Sequence, residues 1–145
     1  LYDQWESMEK NAQWRFTPPT HVLVAFNQAL IEHQKEGGTK GRYKRYKKNC
    51  EILCDGMKKL GFKQLLSNEL QAPIIITFLQ PKVQNFDFKK FYNSLSDKGF
   101  LIYPGKLTVA DTFRIGCIGH LNEDDMKDAI IAVENSLKDL DIKLN

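Results

Sequence analysis

With 145 residues, 42% hydrophobic and 27% charged, the chain has the length and composition of one ordinary globular domain. A formal net charge of +3 argues against a dedicated nucleic-acid binder. No run reaches transmembrane length, and the first residues lack the apolar core of a signal peptide. The odd set of cysteines, Cys50, Cys54 and Cys117, suits reduced thiols, so a cytoplasmic protein is expected. The first residue is Leu1 rather than methionine, which fits a piece of a longer chain.

In chain order, residues 1–11 read as a short polar helix. "WRFTPPT", Trp14 to Thr20, is extended, because adjacent prolines forbid a helix through it. Thr20 is expected to cap a helix whose stripe is Val22, Phe26, Ala29, Leu30 and His33, stopped by Gly37 and Gly38. A second helix carries Tyr43, Tyr46, Cys50, Leu53, Met57 and Leu60 at steps of three or four, with Gly61 as its C-terminal cap. "IIITFLQ" after Pro73 is a buried strand. Asp87 caps a helix with Phe88, Phe91, Tyr92 and Leu95 on one side and Gly99 at its end. "FLIYPG" is a strand broken by Pro104 and Gly105, and "TFRIGCIG" is the next strand. Asn122 caps a last helix with Glu123, Asp124 and Asp125 at its positive end and a stripe of Met126, Ala129, Ile130, Val133, Leu137 and Leu140. The order predicts an α+β fold: a small, largely antiparallel sheet with helices packed on one face.

The cation inside "TFRIGCIG" is the feature that needs explaining. Alternation puts Phe113, Ile115 and Cys117 on one face and Thr112, Arg114, Gly116 and Ile118 on the other. Gly116 removes a side chain from Arg114's own face, an arrangement that suits an arginine at a pocket wall beside a ligand. A guanidinium grips a carboxylate or phosphonate with two parallel hydrogen bonds. A salt bridge to a carboxylate on a neighbouring element explains the residue equally well, and the residues alone leave both readings open.

Other candidates have plainer accounts. Lys40, Arg42, Lys44, Arg45, Lys47 and Lys48 make a solvated basic helix face, with phosphate or RNA binding the lesser alternative. Cys50 and Cys54 lie on adjoining helical turns as core thiols, and the scattered histidines supply no metal-ligand spacing, so no metal site is expected. Lys106, after the Pro-Gly turn, is a loop lysine with nothing nearby in sequence to lower its pKa. Thr17 reads as a turn-capping hydroxyl, and Trp14 and Phe16 as packing anchors.

Together "LYDQW", "QWRFTPPTHV", "APIIITF", "FYNSLSDKGFLIYPGKLT" and "TFRIGCIG" resemble the C-terminal part of the 2-aminoethylphosphonate:pyruvate aminotransferases, from Leu1 to about Leu121. These are class V, fold-type-I enzymes that use pyridoxal 5′-phosphate (PLP). The resemblance implies that residues 1–19 lead in from a large domain and 20–145 form the C-terminal small domain. It implies a homodimer whose Schiff-base lysine and most cofactor contacts lie in the large domain, so that this chain alone is inactive, holds no PLP and carries no catalytic residue. Arg114 falls at the substrate-binding arginine, which grips the phosphonate of the amino donor and the carboxylate of pyruvate. Thr17 falls at the threonine that reaches the PLP phosphate of the partner subunit, with Trp14 in the same patch. Two alternatives stand beside this: another class V enzyme of the alanine:glyoxylate or serine type, and a stand-alone α+β module that binds a small anion.

Overall fold

The computed structural model describes residues 1–105 and 110–144. The chain forms two compact units, Leu1–Thr39 and Lys40–Asn145.

The first unit holds α1 (Tyr2–Asn11) and α2 (Thr20–Lys35). Between them the Pro18-Pro19 segment is irregular, and Arg15 ties it to α1 through an ion pair with Asp3 at 3.2 Å. One expectation is corrected here. Thr20 does not cap α2 but is its first helical residue; Pro19 occupies the cap and no side chain bonds the helix end. A proline at the cap already lacks the N–H that a capping geometry would have to satisfy. The apolar stripe of α2 is exposed among the described residues: none of its residues is buried, and Val22, Phe26 and Leu30 are 66%, 60% and 50% exposed.

The second unit continues α3 (Gly38–Lys59) into β1 (Ile75–Leu79), α4 (Phe88–Asp97), β2 (Tyr103–Pro104), β3 (Thr112–Gly116) and α5 (Glu123–Asp139). Local chemistry fixes the helix ends. After α3, Phe62 N–H donates to Met57 O and Gly61 N–H to Lys58 O; after α4, Phe100 donates to Leu95 O and Gly99 to Ser96 O. Both glycines have positive φ, 93° and 87°, which this termination requires. Asp87 accepts from Lys90 N–H at the start of α4, and Asn122 and Asp125 form a reciprocal capping box at the start of α5.

The sheet order is β1-β3-β2, antiparallel throughout. The arginine strand is therefore central, bonded on both sides. The "FLIYPG" strand shrinks to Tyr103–Pro104, an edge position where the missing N–H of proline is tolerated. One face of the sheet buries Ile76, Phe78, Phe113 and Ile115 against Leu53 and Met57 of α3, Phe91 and Leu95 of α4 and Met126 and Val133 of α5. Among the described residues of the second unit no helix lies on the other face, which presents half-buried Ile75, Thr77, Leu79, Arg114 and Gly116. The helices thus pack on one face, as the pattern predicts.

Candidate functional site

The site starts from register. Thr77 and Tyr103 are the partners of Arg114 on its two sides, so Thr77, Arg114 and Tyr103 form one row across the uncovered face. Arg114 donates from Nε and Nη2 to the carbonyl of Pro104, at 3.3 and 3.2 Å. Gly105 makes that contact possible: any Cβ there would collide with Thr112, so only glycine lets the β2 backbone close on β3 at this point. The same closeness buries Thr112, to 3% exposure, on the face that alternation assigns to Arg114.

Among the described residues Arg114 takes part in no ion pair, and its acceptor is a backbone carbonyl. One edge of the guanidinium is held, while Nη1 and the remaining N–H of Nη2 make no hydrogen bond among the described residues. Those are the donors that a bidentate oxyanion takes end-on. Two clefts among the described residues are not lined by Arg114: one of about 920 Å³ bounded by Phe62, Lys63, Gln80, Lys82 and Asp111, and one of about 270 Å³ between Asn85 and Asp141. The core helices α3, α4 and α5 pack on the face opposite Arg114.

The end of β3 is clamped from α3. Fully buried Asn49 donates through Nδ2 to Cys117 O and Leu121 O, at 3.2 and 3.0 Å. Arg45 Nη1 donates to Gly119 O and Leu121 O, at 2.7 and 2.6 Å. These bonds fix the turn that leaves the arginine strand, each contributing about 1 kcal/mol or somewhat more where the donor is charged. Sequence reasoning missed Asn49, Tyr103 and the Pro104 carbonyl. A polar residue abutting the apolar stripe beside Cys50 was the available signal for Asn49; a carbonyl partner leaves no trace in residue types.

All three cysteines are buried and unpaired. Cys50 Sγ lies 3.9 Å from Cys54 Sγ, and Gln64 donates to Cys54 at 2.8 Å. Hydrogen bonds from Cys117 and Cys54 pull the Cys50 thiol down against the opposing effect of burial, while the bond to Cys50 and burial push Cys54 and Cys117 up. Among the described residues no group of three His, Cys, Asp or Glu is placed to hold a metal ion. The cluster is packing for the strand that carries Arg114.

Trp14 and Thr17 belong to the first unit and Arg114 to the second. Trp14 is 45% exposed, and Thr17 is exposed with its hydroxyl in no hydrogen bond among the described residues. Lys106 lies outside the described residues. Among those described, no helix is long and apolar enough to cross a membrane.

This is the fold of the C-terminal domain of fold-type-I, PLP-dependent aminotransferases. Ureidoglycine–glyoxylate aminotransferase from Bacillus subtilis superposes with a TM-score of 0.81 at 18% identity, over 99% of this chain and 38% of that one. In sequence the chain is similar to the C-terminal part of 2-aminoethylphosphonate–pyruvate transaminases: 47% identical over 142 residues to that of Pseudomonas fluorescens and 48% over 142 residues to one from Polaromonas sp.. Each alignment covers 98% of this chain, which spans only 38% of the length of either relative. No family model matches the chain.

Proposed function

We propose that the whole protein is a PLP-dependent aminotransferase that moves the amino group of 2-aminoethylphosphonate to pyruvate, giving phosphonoacetaldehyde and alanine, and that this chain supplies Arg114 to grip the anionic end of the substrate. Similarity to transaminases of that name supports the reaction. The observation that carries the role of Arg114 is its guanidinium, held on one edge by Pro104 and unengaged on the other, on the uncovered face of the sheet. Arg114 makes and breaks no bond. It fixes the far end of the substrate so that the C–H bond to be broken is aimed at the base, a positioning contribution.

PLP, when bound, supplies the electron sink for that proton loss. Thr17 fits a phosphate contact: its hydroxyl is exposed and unengaged, on a segment stiffened by Pro18 and Pro19. In the homodimer that this reading requires, Thr17, with Trp14 beside it, meets the PLP phosphate of the partner subunit. The reactive lysine and the partner of the pyridine nitrogen come from polypeptide outside this chain. A Thr17→Val change in the whole protein should weaken PLP retention about tenfold, the worth of one hydrogen bond to a charged group; dialysis followed by PLP absorbance measures it, and unchanged affinity would count against the contact.

The reaction itself is tested by a donor panel. The whole protein, purified with PLP and given pyruvate or glyoxylate, should show its highest kcat/KM with 2-aminoethylphosphonate among that donor, alanine and serine. A preference for alanine or serine would replace the phosphonate reading with another class V activity.

A further inference from the structure

We propose that Gly116 is a specificity-determining residue: the side chain it lacks leaves the space in which a phosphonate, bulkier than a carboxylate, sits against Arg114. The inference rests on the reading of Arg114 given above.

The argument begins with a glycine that this chain does not need. Gly61 and Gly99 have positive φ, and Gly56 and Gly105 have neighbours, Ile130 and Thr112, with which a Cβ would collide. Gly116 has neither reason. Its φ is not among the positive ones, and a Cβ built on it meets nothing within 4 Å. A glycine inside a central strand weakens the sheet and gives neighbouring side chains nothing to pack against. No described residue fills that position, which leaves it free for a substrate group.

The surroundings say what kind of occupant fits. Gly116 is two residues beyond Arg114 on the same face, about 7 Å along the strand. Ile75 lies opposite it in register, and Ile118, 40% exposed, follows on the same alternation. The gap is thus bordered by a cation with unengaged N–H groups and by aliphatic side chains. That suits an anion on a short carbon chain. A phosphonate holds three oxygens tetrahedrally about phosphorus and stands one carbon farther from the amine-bearing carbon than the carboxylate of alanine does. Of the two, the phosphonate is the group that needs the extra room.

The test is Gly116→Ala in the whole PLP-loaded protein, with the two half-reactions followed separately by the change in cofactor absorbance. One methyl in a tight subsite changes discrimination about tenfold or more. The value of kcat/KM for 2-aminoethylphosphonate should fall by at least that factor, and the value for alanine by about threefold or less. Melting temperature and PLP content should hold. Equal losses for the two donors, or no loss for either, would overturn the proposal. So would a lowered melting temperature or PLP content, because the space would then be filled by polypeptide. An Arg114→Ala variant run alongside separates the levels: if it too leaves phosphonate turnover unchanged, the reading of Arg114 fails; if only Gly116→Ala is silent, this proposal alone falls.

Discussion

Arg114→Ala in the whole protein is expected to lower kcat/KM for 2-aminoethylphosphonate at least about tenfold, since a hydrogen bond to a charged group is worth about 1.5–3 kcal/mol. The fold should survive the change. The guanidinium sits on the uncovered face, and its bonds among the described residues run to a single carbonyl at 3.2 and 3.3 Å, the long end of the range. PLP absorbance should persist, because no cofactor contact is assigned to this residue. Both kcat and KM should worsen: a substrate whose far end is loose binds less well and also presents its C–H bond to the base less often. Arg114→Lys keeps the charge and loses the planar fork, so it should fall between wild type and alanine. Steady-state kinetics with intact PLP content decides the matter, and wild-type kinetics in Arg114→Ala would remove the basis of the functional reading.

What the sequence revealed was mostly what is local. The caps at Asp87 and Asn122 are bonds between a side chain and backbone within three residues, so residue type and position suffice to foresee them. The same holds for Gly61 and Gly99 at helix ends and for the stripes of α3, α4 and α5. The helical stripe of α2 is equally clear in the sequence, yet periodicity reports which face is apolar and not whether this chain covers it. Strand order was not legible. That β3 is central and β2 only two residues long depends on pairing between distant segments. Thr112 shows the limit of alternation: it shares the face of Arg114 but is buried, because the backbone at Gly105 closes over it. Arg114 stood out because a charge inside an apolar strand needs a reason. Its acceptor did not, since the Pro104 carbonyl carries no residue-specific mark.

Phe113→Ala should destabilise the protein by about 3–5 kcal/mol, the usual cost of emptying a fully packed aromatic site. Phe113 has no exposed surface and precedes Arg114 on the central strand, pointing to the opposite face. Its ring centre lies 5.5 Å from Phe62 and 5.7 Å from Phe91 in edge-on contacts, 5.6 Å from Phe78 in a stacked one, and 6.2 Å from Phe88. Those rings come from β1, from α4 and from the segment after α3, so one side chain joins three parts of the core. Removing it deletes apolar burial and also the aromatic pair contacts, each worth about 0.5–1.5 kcal/mol beyond area. Rings on separate elements cannot all close on the void at once, which puts the expected cost at the upper part of the range. Urea titration measures it, and Phe113→Leu, which keeps much of the volume, should recover more than half of the loss. A cost below about 1 kcal/mol would mean that the cluster collapses freely, against the tight packing of protein interiors. Because Phe113 and Arg114 are neighbours on one strand, the alanine variant should also lose phosphonate turnover before it unfolds: the floor beneath the guanidinium has been removed, and the positioning of Arg114 depends on that floor.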